Sequence, residues 1–170
     1  MKRLTLVRHG HAAWKEWKST DFDRPLTRRG NTEAEGLGKH LLAQQLVPDL
    51  LITSTAQRAK QTAEILAREF ALATNAIKHE ESIYLCPPQQ LLRIVQSIGP
   101  RIGHLMLVGH NPGISEFARL LAPNAGMSEL QTAQACTLVF EEPAWADVAY
   151  GRAKDAHIES RPARLLGMWM

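Results

Sequence analysis

Three short runs of apolar residues occur along the chain, and each has the length of a buried strand. They are Leu4–Val7, Leu50–Thr53 and Leu105–Val108. Short apolar runs of this kind are typical of strands that are covered on both faces, as in a parallel sheet. A further short strand is predicted at Ala76–His79, and Cys136–Phe140 has a β-like composition.

Between these strands, apolar residues recur at the three- and four-residue spacing of amphipathic helices. Each helix has a recognisable start, which is an N-cap residue, a capping box or a proline in the first turn. Four helices are predicted. The first extends from Thr27 to about Gln45, and the second begins with the capping-box pattern Ser54–Gln57. The third runs from Pro87 through Ile98, and the fourth follows the N-cap and N1 pair Asn111–Pro112. This alternation predicts an α/β fold with three α/β/α layers and a mostly parallel central sheet.

Two parts of the chain are less regular. Residues His11–Trp14 are compatible with a helix start, and a polar loop follows them. Near the other end, Cys136–Phe140 is predicted to pair with a strand at Val148–Tyr150, across a turn that contains Pro143. Residues 152–170 are rich in arginine at their start, and we expect them to form a loosely packed basic tail.

Length and composition restrict the class of protein. A chain of 170 residues with 45% apolar and 22% charged residues is typical of one soluble domain, which we assign to residues 1–170. The formal charge of +3 is too small to indicate a nucleic-acid or membrane partner. Cys86 and Cys136 are not in a metal-binding or disulfide pattern, and no apolar stretch approaches the roughly 20 residues of a membrane span. We therefore expect a cytoplasmic protein.

The predicted strand ends carry cationic and imidazole side chains. Arg8 and His9 directly follow the first strand, and His110 follows the third strand after one glycine. Arg58 lies in the first turn of the helix after the second strand, and Arg24 precedes a proline that favours an extended conformation. Because the carboxyl ends of parallel strands meet at one edge of a sheet, we expect all five side chains to converge there.

Each of these residues has a simpler explanation when it is considered alone. A histidine at a strand end is more often structural than catalytic, and single arginines on a helix or in a loop are more often solvated. Together they match the chemistry of phosphoryl transfer, because guanidinium groups bind the equatorial oxygens of a phosphoryl group in a bidentate manner. A histidine that is neutral at pH 7 is also a competent nucleophile toward phosphorus.

Four motifs, taken in order, resemble those of the histidine phosphatase superfamily, which is also called phosphoglycerate-mutase-like. They are the RHG signature in Leu6–Gly10, the PLTxxG pattern in Pro25–Gly30, the SxxxRAxQTA pattern in Ser54–Ala63 and the second-histidine motif in Val108–Gly113. The matches span about residues 3–140. The short length and the GHNPG form are most similar to the small phosphohistidine phosphatase SixA branch of this family.

The resemblance implies a role for each matched residue. His9 would be the nucleophile that is transiently phosphorylated, and Arg8, Arg58 and His110 would hold the phosphoryl oxygens. Arg24 matches a position that contacts phosphate in the SixA branch. The family needs no metal ion and no organic cofactor, so we expect none here.

The proton donor is not identified by the resemblance. Larger relatives carry a glutamate in the stretch after the second helix, which reads Glu80–Pro88 in this chain. Glu81 is the nearest candidate in that stretch, but it lies about one turn early. Asp21, in the loop before Arg24, is the preferred alternative. Both carboxylates could equally lie on the surface without a catalytic role.

A weak or absent acid has a consequence for the choice of substrate. An alkyl phosphate must expel a poor leaving group, which requires general-acid help worth about 10²–10⁴-fold. A phosphohistidine can instead leave as neutral imidazole, and a site without a large cap insertion can admit a protein. We therefore predict a phosphatase that acts through a phosphohistidine intermediate on a phosphohistidine-bearing protein.

Three other functions remain as alternatives. A small-molecule phosphomonoesterase of the same fold would use the same nucleophile on a small phosphorylated substrate. A non-catalytic phosphate-binding module is disfavoured, because binding alone has no need of the nucleophile His9. A mutase is disfavoured because it must retain its substrate, and the sequence has no enclosing insertion for that purpose.

Overall fold

The computed structural model describes residues 1–14, 20–142, 144–151 and 162–170, which form one six-stranded sheet with helices on both faces. The predicted strands Leu4–Val7, Leu50–Thr53, Ala76–His79, Leu105–Val108 and Cys136–Phe140 all correspond to strands of the sheet. The elements are β1 (Lys2–Arg8), α1 (Arg28–Ala43), β2 (Leu50–Thr53), α2 (Gln57–Glu69), β3 (Ile77–His79), α3 (Pro88–Gln96), β4 (His104–Gly109), α4 (Gly113–Leu121), β5 (Ala135–Phe140) and β6 (Arg164–Trp169).

The sheet is parallel in its larger part, in the order β3-β2-β4-β1-β5-β6. Strands β3, β2, β4 and β1 are parallel, whereas β5 and β6 are antiparallel to their neighbours. The register places Val108 of β4 beside both Val7 of β1 and Thr53 of β2. The residues that follow these three strands therefore emerge at the same edge, as an α/β site requires.

Alternating side chains of the parallel strands face two separate halves of the core. On one side, Leu51 and Met106 pack with α1 and α2; on the other, Leu6 and Leu107 pack with α3 and α4. All four side chains are fully buried. Strands covered on both faces explain why the sequence shows continuous apolar runs instead of strict alternation. The predicted three-layer α/β/α architecture is confirmed.

The first turn of α1 packs directly against the loop that follows β1. Thr27 caps the helix as predicted, since its hydroxyl accepts a hydrogen bond from the Gly30 N–H at 3.1 Å. A Cβ atom at Gly30 would overlap the carbonyl oxygen of His11, and one at Gly10 would lie 2.7 Å from the Gly30 carbonyl oxygen. The two glycines let the loop and the helix backbone approach closely.

Three local predictions near helix starts are wrong. Residues His11–Trp14 begin no helix, because Ala12 pairs instead with Leu26 in an isolated antiparallel bridge. The α2 N-cap is Ala56, and no side chain caps that helix. The α4 helix begins at Gly113 with Pro112 as its N-cap residue, one position later than the Asn111 cap predicted from the sequence.

The C-terminal pairing also differs from the prediction. Strand β5 pairs with β6, not with Val148–Tyr150, and β6 is formed by residues expected to be a loose tail. The segment before Val148 turns away because Trp145 is completely buried and its Nε1–H donates to the Ile102 carbonyl at 2.7 Å. The predicted turn residue Pro143 and the basic residues 152–161 lie outside the described residues.

Within the described part of the chain, no helix is both long enough and apolar enough to cross a bilayer.

We expect Gly30→Ala to lower the free energy of unfolding by about 1–3 kcal/mol, because the new methyl group forces the helix and the loop apart. Gly36→Ala is the matched control, since it lies in the same helix and a Cβ there meets nothing within 4 Å. The control should stabilise the protein by about 0.5–1 kcal/mol. Urea unfolding of the three proteins measures both effects, and equal stability of Gly30→Ala and wild type would contradict the close approach.

Candidate active site

His9 presents one unprotonated ring nitrogen at the sheet edge. Its Nδ1 lies 2.8 Å from the Gly10 carbonyl oxygen, which can only accept a hydrogen bond, so Nδ1 carries the proton. Nε2 is therefore the unprotonated nitrogen, and it accepts a hydrogen bond from Arg58 Nε at 3.2 Å. A nucleophile needs an unprotonated nitrogen, and this tautomer provides one at Nε2. That nitrogen faces the cationic side chains that would hold a phosphoryl group.

The surroundings of His9 keep its ring neutral. The pKa of His9 is lowered from 6.5 to about 4, mainly by burial and also by the charges of Arg58, Arg8 and Arg24, while the hydrogen bond to Gly10 opposes the shift. At neutral pH the imidazole therefore carries no charge and can act as a nucleophile.

Arg58 is almost completely buried and is held at three points. Besides the bond to His9, its Nη1 donates to the Asp21 carbonyl oxygen at 2.6 Å and its Nη2 donates to Asp21 Oδ2 at 3.0 Å. A guanidinium group has five N–H donors, so two remain for oxygens of a phosphoryl group. Arg58 lies in the first turn of α2, as the sequence predicted.

The carboxylate of Asp21 joins three of the site's side chains. In addition to Arg58, it accepts hydrogen bonds from Arg24 Nη1 at 2.9 Å and from the Tyr84 hydroxyl at 2.7 Å. The hydrogen bond from Arg24 is the main reason why the pKa of Asp21 lies well below its usual range. The hydrogen bonds from Tyr84 and Arg58 and the charge of Arg58 act in the same direction, whereas burial opposes them. Asp21 is therefore ionised at neutral pH, which opposes the proton-donor role preferred from the sequence.

His110 lies next to His9 at the end of β4. The two ring centroids are 5.1 Å apart, and His110 Nε2 is hydrogen-bonded to Ser54 Oγ at 2.8 Å. The pKa of His110 is lowered to about 3, mainly by burial and also by its neighbours His9 and Arg58. Its Nδ1 is buried and has no hydrogen-bond partner among the described residues.

Arg8 approaches the same cluster from β1. Its Nη1 donates to the Leu130 carbonyl at 2.9 Å, and its buried Nε has no partner in the described part of the chain. Burial lowers the pKa of Arg8, and the nearby Glu129 opposes that effect. A buried guanidinium N–H without a partner is costly, and a phosphoryl oxygen is an acceptor that would satisfy it.

The predicted residues are brought together to different extents. Arg58 contacts His9 directly, His110 lies beside the His9 ring, and Arg24 reaches the cluster through Asp21. Glu81, by contrast, is exposed at the start of a short 3₁₀ turn, and no hydrogen bond joins its carboxylate to these side chains in the described ranges.

Three residues of the site were not singled out by the sequence. Ser54 fixes His110, and Thr62 accepts a hydrogen bond from the Gly10 N–H at 3.0 Å while donating to the Arg58 carbonyl at 2.7 Å. Both occur in the matched motif Ser54–Ala63, so the motif itself was the available signal. Tyr84 had no such signal, because it lies outside the four matched motifs.

The cluster is suited to an anionic, tetrahedral group and not to a metal ion. It combines three guanidinium groups with two neutral imidazoles, and its carboxylate is already paired with two arginines. Among the described residues, no group of three or more histidine, cysteine, aspartate or glutamate side chains is arranged to hold a metal. The arrangement can therefore bind a phosphoryl group and transfer it to His9 Nε2.

Comparison with known proteins gives consistent results. Residues 4–81 match the family model described as the histidine phosphatase superfamily (branch 1). An uncharacterised protein of Mycobacterium tuberculosis is 30% identical over 159 residues, which cover 86% of this chain and 94% of that protein. The family resemblance inferred from the sequence is confirmed.

Solved structures show the same fold. A protein of Agrobacterium tumefaciens, provisionally described as the phosphohistidine phosphatase SixA, superposes with a TM-score of 0.80 and 25% identity over 98% of this chain and 96% of its own. A structure from Nakamurella multipartitia with the same provisional description has a TM-score of 0.78 and 22% identity over 98% and 94% of the two chains.

We expect the His9 ring to remain neutral at pH 5.5, because burial lowers its pKa to about 4. NMR titration of the histidine rings measures this directly, with His9→Ala identifying the signal. The same chain in urea is the control, since an unfolded histidine titrates near pH 6.5. Titration of the folded His9 near pH 6.5 would contradict the buried, neutral nucleophile.

The same shift predicts how stability depends on pH. The folded pKa of His9 lies below its unfolded value, so the unfolded chain binds the proton first as the pH falls. The stabilising contribution is fully present above about pH 6.5 and is lost as the pH falls toward 4. Urea unfolding at several pH values should show that the free energy of unfolding falls over this range. The decrease should be smaller in His9→Asn.

Proposed function

The chain belongs to the histidine phosphatase superfamily, and from that premise we propose that it is a phosphatase that hydrolyses phosphohistidine on a protein through phosphorylation of His9. The support lies in the chemistry of the cluster. His9 offers a neutral Nε2, while Arg8, Arg24 and Arg58 supply positive charge for the phosphoryl oxygens.

The reaction has two steps that use the same side chains. In the first, His9 Nε2 attacks phosphorus, the bond from phosphorus to the substrate nitrogen breaks, and the substrate imidazole leaves with the proton of its other nitrogen. In the second, water attacks the phosphorylated His9, which releases inorganic phosphate and a proton and restores the imidazole. The guanidinium groups neutralise the charge on the equatorial oxygens in both steps.

The observation that carries the choice of substrate is the state of Asp21. Among the described residues, it is the only carboxylate hydrogen-bonded to Arg24 or Arg58, and it is ionised at neutral pH. No carboxylate of the described chain is hydrogen-bonded to the ring of His9 or His110. A site without a protonated acid favours a leaving group that needs none, and imidazole meets that requirement whereas an alkoxide does not.

A small-molecule phosphomonoesterase of the same fold is the competing function, and the same site would bind its substrate. A phosphate-binding module without activity is a weaker alternative. Binding alone does not require the tautomer of His9, in which the lone pair of Nε2 faces the arginines.

We expect turnover of a phosphohistidine-bearing phosphotransfer protein to exceed that of serine phosphate or a sugar phosphate by about 10²-fold or more in kcat/KM, because only the esters need an acid. His9→Ala should abolish both activities. The matched control is His79→Ala, which removes an exposed histidine from β3. Faster hydrolysis of the esters would instead establish the phosphomonoesterase.

A second measurement tests the intermediate. Rapid quenching with labelled substrate should trap an acid-labile phosphate on His9, and the label should be absent in His9→Ala. Turnover without such a label would exclude the covalent route, and a label that is never released would identify a binding module.

A further inference from the structure

We propose that Asp21 and Tyr84 form an anionic anchor, a pair of positioning residues that holds Arg58 in line with His9 and opposes the binding of oxyanions. The inference deepens the proposed function, because it concerns the same site and the same phosphoryl group. It assigns a role to Tyr84 and replaces the donor role of Asp21 with a structural and electrostatic one.

Asp21 holds the guanidinium group of Arg58 in one orientation. Asp21 accepts from both terminal nitrogens of the guanidinium group, through its backbone oxygen at 2.6 Å and its carboxylate at 3.0 Å. A guanidinium group is planar, so two fixed nitrogens determine the direction of the third N–H. That third donor is Nε, which points at His9 Nε2 at 3.2 Å.

Tyr84 in turn fixes the carboxylate of Asp21. Its hydroxyl donates to Oδ2, the same oxygen that binds Arg58, and its pKa is raised by burial and by this hydrogen bond, so the hydroxyl keeps its proton. The Tyr84 ring meets the His110 ring edge-on at 5.5 Å, and the Arg58 guanidinium carbon lies 6.0 Å from its centroid. Phe22 packs edge-on against the same ring.

The charge of Asp21 has a separate effect on the site. Asp21 is a fixed negative charge beside the place where the phosphoryl oxygens must bind, so it repels them while it aligns Arg58. Its side chain is 39% exposed, whereas that of Arg58 is 4% exposed, so solvent screens the repulsion only in part. The anchor should therefore weaken the binding of oxyanions and accelerate turnover, which are opposite effects of one residue.

This opposition separates a positioning role from a merely structural one. Asp21→Asn keeps the size of the side chain but removes its charge. We expect it to bind inorganic phosphate about three- to tenfold more tightly in calorimetry, and to lower kcat by about tenfold or more. A structural defect would instead weaken binding and turnover together, and that result would overturn the proposal.

Tyr84→Phe tests the second member of the anchor. It leaves the charge of Asp21 in place, so phosphate binding should change by less than about twofold while kcat falls by about three- to tenfold. Tyr150→Phe is the matched control, because the Tyr150 hydroxyl is buried without a hydrogen-bond partner in the described residues and its ring packs on Phe117. An unchanged kcat in Tyr84→Phe would overturn its assignment.

The leaving group distinguishes the anchor from a proton donor. If Asp21 positions Arg58, Asp21→Asn should slow the hydrolysis of a phosphohistidine-bearing protein and of an alkyl phosphate to a similar extent. A loss confined to the alkyl phosphate, whose alkoxide leaving group needs a proton donor, would show that Asp21 is an acid, and would overturn the anchor. Phosphate binding is measured without turnover, so failure of the proposed substrate and failure of the anchor remain distinguishable.

Discussion

The register of three parallel strands is the constraint on which the site depends. Val108 lies between Val7 and Thr53, so the chain leaves β1, β2 and β4 at one level. The backbone continues this alignment past the strand ends, since the His9 N–H donates to the Gly109 carbonyl and the Ser54 N–H to the Val108 carbonyl. A shift of one residue in either pairing would turn the following side chains toward the opposite face.

A site built at this edge must accommodate buried positive charge. Arg58 is almost fully buried, and two histidines beside it stay neutral because charging them would add to the repulsion as well as to the cost of burial. Asp21 offsets part of the charge. The neutral state of His9 and the ionised state of Asp21 therefore have different main causes, because burial lowers the pKa of His9 and pairing with arginines lowers that of Asp21.

Much of the fold could be predicted from local pattern. The apolar runs located the strands, and Thr27 marked the start of α1, because both signals depend on neighbouring residues in the sequence. The pairing of β5 could not be predicted in this way. Val148 follows the buried Trp145, whose indole N–H binds the distant Ile102 carbonyl, and the edge strand comes from residues 164–169 instead.

For the site, the sequence by itself determined which residue types follow each strand, and through the motifs it placed His9, Arg8, Arg58 and His110 in one cluster. Only the tertiary structure decided what Asp21 and Tyr84 do. Asp21 is 37 residues from Arg58 and 63 residues from Tyr84 along the chain. Its charge depends on those contacts, which no local pattern encodes, because a carboxylate is an acid or an anchor according to the partners that folding brings to it.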